Sequence, residues 1–157
     1  MPQGKKFVQI LVSLSISSLL LAHVGDSSAF GAASFPRIPN VKEPAAERAD
    51  IEQSYRFVGE HPEVARYVPC FCACSRTKNH KSIDDCFVQR RHTDGVVAKW
   101  NSHAAECSIC VTVALQARDL YLASYDTPAI RAAVEKDLAP KFRYHTDTPP
   151  PPEANTR

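Results

Sequence analysis

Cysteine is the residue type whose placement in this chain points to chemistry. All six cysteines lie between Cys70 and Cys110. Three form a C-x-C-x-C run, Cys70-Phe71-Cys72-Ala73-Cys74. In an extended segment alternate residues point to one side, so the run projects three sulfurs into one small volume. Neighbours in such a run pair poorly as disulfides, because the short ring strains the preferred bridge geometry. A soft metal meets no such obstacle, since each thiolate supplies one bond while the chain wraps the ion. Further along, His103, Cys107 and Cys110 are spaced i, i+4, i+7, which puts all three on one face of a helix. Cys86 and His80 fall between the two halves, and His92 is a further candidate. The expected ligand set is Cys70, Cys72, Cys74, Cys86, Cys107, Cys110 and His103, with His80 beside them.

Two other chemistries use the same residues. An even number of cysteines in an oxidising compartment also suits three disulfides stapling a small domain. A thiol–disulfide exchange protein is the third reading. It is opposed by the placement of Cys107-x-x-Cys110 about a turn and a half inside the expected helix. Redox dithiols gain their reactivity at a helix N-terminus. The pair is followed by Val111 rather than His, so covalent haem attachment is not signalled. There is no Gly-rich phosphate loop and no hydrolase signature, and no acid or base accompanies the thiols. The chain reads as a binding protein rather than an enzyme.

Elements that could position these residues follow from periodicity. Ile51, Tyr55 and Val58 share one face of a helix over 45–60. Pro62 starts a short helix that Pro69 ends. Cys70 to Asn79 reads as a loop. Ser82, with Asp84 and Asp85 after it, opens a helix over 83–90. Thr93-Asp94-Gly95 is a turn. Asn101 or Ser102 caps the longest helix, which extends to about Ser124. Ile130, Val134 and Leu138 line the inner face of a last helix starting at Thr127-Pro128. Gly95 to Ala98 is too short to support a sheet. The expected fold is all-α: one small domain of four to five helices, with a Cys-rich loop packed on the longest. Trp100 is expected as an apolar anchor near the site. Lys78, Lys81, Arg90 and Arg91 are most simply a solvated face.

Length and composition bound the rest. The 157 residues carry a formal net charge of +2 and are 44% hydrophobic. That is room for one domain, too little charge for a dedicated nucleic-acid binder and too apolar for wholesale disorder. Lys5 and Lys6 precede an apolar run from Phe7 to Ala22, and Ser27-Ser28-Ala29 fits a small-x-small cleavage site. These features read as a secretory signal peptide over 1–29. The run is too short and too interrupted to span a membrane. No Cys follows it to carry a lipid. A linker over 30–44, a Cys-rich helical domain over 45–142 and a Pro-rich tail over 143–157 complete the expected organisation. The mature chain would be secreted or periplasmic, without a membrane span. Its expected partners are a metal ion and an extracytoplasmic protein.

The stretch Tyr67-Val68-Pro69-Cys70-Phe71-Cys72-Ala73-Cys74 resembles the signature of the bacterial PCYCGC-motif proteins, which are often lipoproteins. The likeness continues through His80-Lys81-Ser82, Asp85-Cys86-Phe87, Trp100, His103 and Cys107-x-x-Cys110. His61-Pro62-Glu63-Val64, Ile130-Arg131 and the Pro-rich tail also look similar. It implies an extracytoplasmic location and a Cys-rich site. Phe71 and Ala73 stand where the motif has Tyr and Gly, so a hydroxyl is lost and a positive φ at Ala73 would be strained. Among soft ions, Cu(I) ranks first because closely spaced thiolates suit a low-coordinate ion. Zn²⁺ follows, since tetrahedral Cys₄ and Cys₃His sites are common.

Overall fold

A computed structural model describes residues 35–152, apart from the side chains of Cys74 and Ser75. The signal-peptide segment, the start of the linker and the last five residues lie outside the described residues. In order, the elements are α1 (Arg48–Glu60), α2 (Pro62–Ala65), α3 (Cys74–Lys78), α4 (Ile83–Phe87), β1 (Val88–Arg91), β2 (Val97–Trp100), a 3₁₀ turn (Ser102–Glu106), α5 (Ser108–Leu122) and α6 (Thr127–Leu138). The two strands pair antiparallel, so the fold is mixed α/β and the all-α expectation is corrected.

The helical stripes fall where periodicity places them. Ile51, Tyr55 and Val58 of α1 are buried, as are Ile130, Val134 and Leu138 of α6. Helix α5 lies between them and buries Cys110, Val111, Val113, Ala114 and Ala117. Pro128 lies in the first turn of α6, where Asp126 caps by accepting from the Ala129 N–H at 2.9 Å.

The hairpin arises because α4 stops at Phe87, short of the expected Arg90. Isolated two-stranded ribbons are marginal in water, so packing must hold this one. Val97 and Trp100 are buried against the core. Gly95 takes φ +89° in the connecting turn, and the Asp94 carboxylate accepts from the Val96 N–H. Arg91 is the second anchor. Its guanidinium donates to the carbonyls of Val58, Gly59 and Gly95 and pairs with Asp84 at 2.5 Å. It thus satisfies two carbonyls at the end of α1 and ties the hairpin there. Arg91 is a structural clamp, not part of a solvated face. Trp100 is the expected anchor: its ring meets Tyr55 edge-on, and its indole N–H donates to the Pro36 carbonyl at 2.8 Å. That bond docks the segment ahead of α1, where Phe35 and Ile38 pack on the core.

The long helix begins six residues later than expected. In an α-helix started at Ser102, the Ala105 N–H would bond to the Asn101 carbonyl. The Tyr55 hydroxyl takes both groups instead, donating to the Asn101 carbonyl at 2.6 Å and accepting from the Ala105 N–H at 3.2 Å. The Ala105 carbonyl is claimed by the Ala45 N–H. With these groups engaged the segment closes as a 3₁₀ turn, capped by the Asn101 side chain on the His103 N–H. Cys107 then turns extended, and α5 starts at Ser108.

Removing that hydroxyl leaves two backbone groups without their partner. Tyr55→Phe is expected to cost about 1–3 kcal/mol, read as a lower urea midpoint at unchanged m-value. A midpoint equal to wild type would mean that the 3₁₀ turn does not depend on Tyr55.

Candidate metal centre

Pro69 leads the Cys-rich segment into the core, where Cys70 is fully buried and Cys72 nearly so. The segment is not extended throughout. Ala73 has φ −72°, so replacing the motif glycine costs no strain there, and α3 begins at Cys74. This corrects the loop expected over 70–79. The helix ends at Asn79 in the left-handed region, φ +56°, a conformation that Asn tolerates better than most residues. The chain then returns His80 towards the sulfurs.

The segment is fixed from the far end of the chain. The Cys70 N–H donates to the Thr146 hydroxyl at 2.8 Å, and the Thr146 N–H donates to the Cys70 carbonyl at 2.9 Å. The Thr148 hydroxyl donates to the Lys81 carbonyl. Arg131 of α6 holds the carbonyls of Thr148 and Pro149 in turn. Phe142 packs near Phe71, and Arg76 lies over the Tyr144 ring at 4.9 Å. Residues 142–149 therefore strap the Cys-rich segment down. Nothing in the polar, Pro-rich sequence signalled this, and the buried Thr146 and Thr148 are the residues that sequence reasoning missed.

Five described cysteine side chains converge. The sulfur of Cys70 lies 3.2 Å from that of Cys72 and 3.7 Å from that of Cys110, and Cys72 and Cys110 are also 3.7 Å apart. Cys86, on α4, is fully buried, and the His80 Nδ1 lies 3.4 Å from its sulfur. Cys70, Cys72, Cys86 and Cys110 form one group in which the ligand atoms all lie within 4.8 Å of one another. Cys72, His103, Cys107 and Cys110 form a second group by the same measure. His103 Nε2 stands 3.8 Å from the Cys72 sulfur. Four sulfurs bound at about 2.3 Å around a tetrahedral zinc stand about 3.8 Å apart, close to most of these separations.

His103 reaches the cluster by a different route from the one expected. It sits on the 3₁₀ turn, not on one helical face with Cys107 and Cys110. Cys107 is the N-cap of α5, which places Cys107-x-x-Cys110 at a helix N-terminus. The objection to redox chemistry from a mid-helix position therefore falls. Cys74 opens α3, but its side chain lies outside the described set. His92 is exposed on the hairpin turn, and neither group includes it.

Cys70, Cys86, Cys107 and Cys110 are free. Four free cysteines are incompatible with three disulfides in this state. Cys72 is disulfide-bonded. Its sulfur could serve as a ligand only with that bond reduced.

Electrostatics favour thiolate at particular sulfurs. Hydrogen bonds from the Cys110 and Cys86 thiols hold Cys70 down at about 3, against the opposing effect of burial. The Cys110 thiol likewise lowers Cys107 to about 6, helped by the first-turn amides of α5. Cys110, the donor to both, is pushed far up. Burial lowers both His80 and His103, which favours the neutral imidazole that metal ligation requires.

The match to a family model now has a structural setting. The model described as "Protein of unknown function with PCYCGC motif" matches residues 29–151. The chain belongs to this PCYCGC-motif family. The matched span takes in every sulfur of the cluster and the Thr146 strap. No curated protein and no solved structure matches the chain. For this member of the PCYCGC family, the site's chemistry is therefore argued from its own side chains.

Cys107 is half-buried and is the more accessible of the two sulfurs favoured as thiolates. In the metal-free protein it should be the first cysteine alkylated by iodoacetamide. Because only the thiolate reacts, its rate should rise with pH through about 6 and be flat above 7. Peptide mapping after brief labelling at pH 7 checks this. Preferential labelling of any other cysteine would contradict the assigned electrostatics.

Proposed function

We propose that this protein is an extracytoplasmic soft-metal carrier, which sequesters or delivers Cu(I) or Zn²⁺ on its thiolate cluster. One observation carries the reading: four cysteines from three separate parts of the chain, Cys70 with Cys72, Cys86 and Cys110, bring their sulfurs within 4.8 Å in a buried setting. Reduced and ionised, these sulfurs would repel one another in so small a volume, and a soft cation is the species that makes their joint burial favourable. The donors are sulfur and neutral imidazole, the set that selects Cu(I) and Zn²⁺ over hard ions. Binding rather than catalysis is favoured because the cluster is enclosed by the Cys-rich segment, α4 and α5. The extracytoplasmic assignment rests on Lys5, Lys6, the Phe7–Ala22 run and Ser27-Ser28-Ala29. No helix among the described residues is long and apolar enough to cross a membrane.

A second reading has its own observation. Cys107-x-x-Cys110 begins α5, with Cys107 lowered to about 6. That is the setting of a dithiol able to exchange with a disulfide.

Elemental analysis and a free-thiol count on protein purified without chelator or reductant separate the readings. The metal reading expects stoichiometric copper or zinc, with thiols recovered on metal removal. Cys110→Ser should then weaken binding in a chelator competition by more than the roughly 10- to 100-fold that follows loss of a ligand's supporting hydrogen bond. Protein that takes up neither ion after full reduction, yet reduces a disulfide substrate in a Cys107-dependent way, would replace the metal reading with the redox one.

A further inference from the structure

The two ligand groups overlap. One takes Cys70, Cys72, Cys86 and Cys110, and the other takes Cys72, His103, Cys107 and Cys110. Cys72 and Cys110 belong to both, with their sulfurs 3.7 Å apart. The remaining donors divide into two pairs by group, Cys70 with Cys86 and His103 with Cys107. We propose that the site takes two thiophilic ions, bridged by the Cys72 and Cys110 thiolates. This rests on the metal-binding reading above and specifies its stoichiometry.

Three considerations lead there. Six donor atoms are too many for one Cu(I) or Zn²⁺, which take at most four in such sites. Divided as they are, each ion receives four, two of them shared. A thiolate sulfur has lone pairs to spare and can bond two soft ions at once. Charge points the same way: five thiolates carry five negative charges, of which one divalent ion leaves three uncompensated and two leave one. In a site where Cys70 and Cys110 are fully buried, that difference is large.

Cys72 takes part as a thiolate, so its disulfide must open first. A dithiol reductant supplies two electrons and two protons, the S–S bond becomes two thiols, and the reductant leaves as its own disulfide. Metal binding then displaces the thiol protons to solvent.

The test uses the full chain, reduced with a dithiol, desalted without oxygen and titrated with Co(II) as the probe. Native mass spectrometry should show two cobalt ions per chain at saturation. The double variant His103→Ala, Cys107→Ser should retain one. Thiolate bridges couple the two cobalt spins, so the integrated paramagnetic signal per cobalt should fall well below that of the one-cobalt variant. Saturation of the wild type at one ion would overturn the two-ion centre and leave the metal-carrier reading standing. Two ions with undiminished signal would overturn the bridging. No uptake by fully reduced, folded protein would overturn the carrier reading as well.

Discussion

The site depends on one hydroxyl group inserted between two backbone groups. Tyr55 stands where the Ala105 N–H and the Asn101 carbonyl would otherwise meet, and bonds to both. The bond it interrupts is the one that would let a single helix run from Ser102. With that helix stopped, His103 rides on a tight turn and Cys107 becomes the residue before α5. The same ring meets Phe87 and Trp100 edge-on. It thereby joins α1 to the end of α4, which carries Cys86, and to the end of the hairpin. One side chain therefore ties together several of the elements that deliver donors.

Bringing the donors together creates an electrostatic problem. A buried thiolate is costly unless it is paired or hydrogen-bonded. Cys70 solves this by accepting from the thiols of Cys110 and Cys86, which lowers its own proton affinity. The same bonds raise that of Cys110, which opposes full ionisation of the cluster. Each further proton lost adds a negative charge where hydrogen bonds are already used. Cations bound between the sulfurs would remove this limit.

The regular parts of the fold were legible because burial imposes a period on sequence. The stripes in α1 and α6 have no competing demand on their residues, and Asn101 was recognisable as a cap. The misses share another cause. The start of α5 is set by Tyr55, about fifty residues away in sequence, and no local pattern at 101–107 reports it. The hairpin is stabilised by Arg91, whose charge reads locally as exposure but whose guanidinium closes the end of α1. Thr146 is a polar residue among prolines, and only its partner Cys70 explains its burial. For the site, residue types sufficed to nominate the donors, while their division into two overlapping groups needed coordinates.

The helix N-terminus at Cys107 admits two uses, and its neighbours suit one better than the other. A dithiol used for exchange needs one sulfur that an incoming disulfide can reach and a second that can resolve the mixed intermediate. Cys107 is partly accessible, but Cys110 is fully buried among Cys70, Cys72 and Cys86. Two of the sulfurs around it, those of Cys70 and Cys72 at 3.7 Å, belong to the Cys-rich segment, which Thr146 pins from the other end of the chain. A resolving thiol in that position would have several competing partners and little freedom to move. As a ligand, by contrast, it gains from each of those neighbours, because every additional sulfur held in place lowers the ordering cost of closing around an ion. The lowered proton affinity at Cys107 serves that role too, since a metal must displace the proton of each thiol it binds.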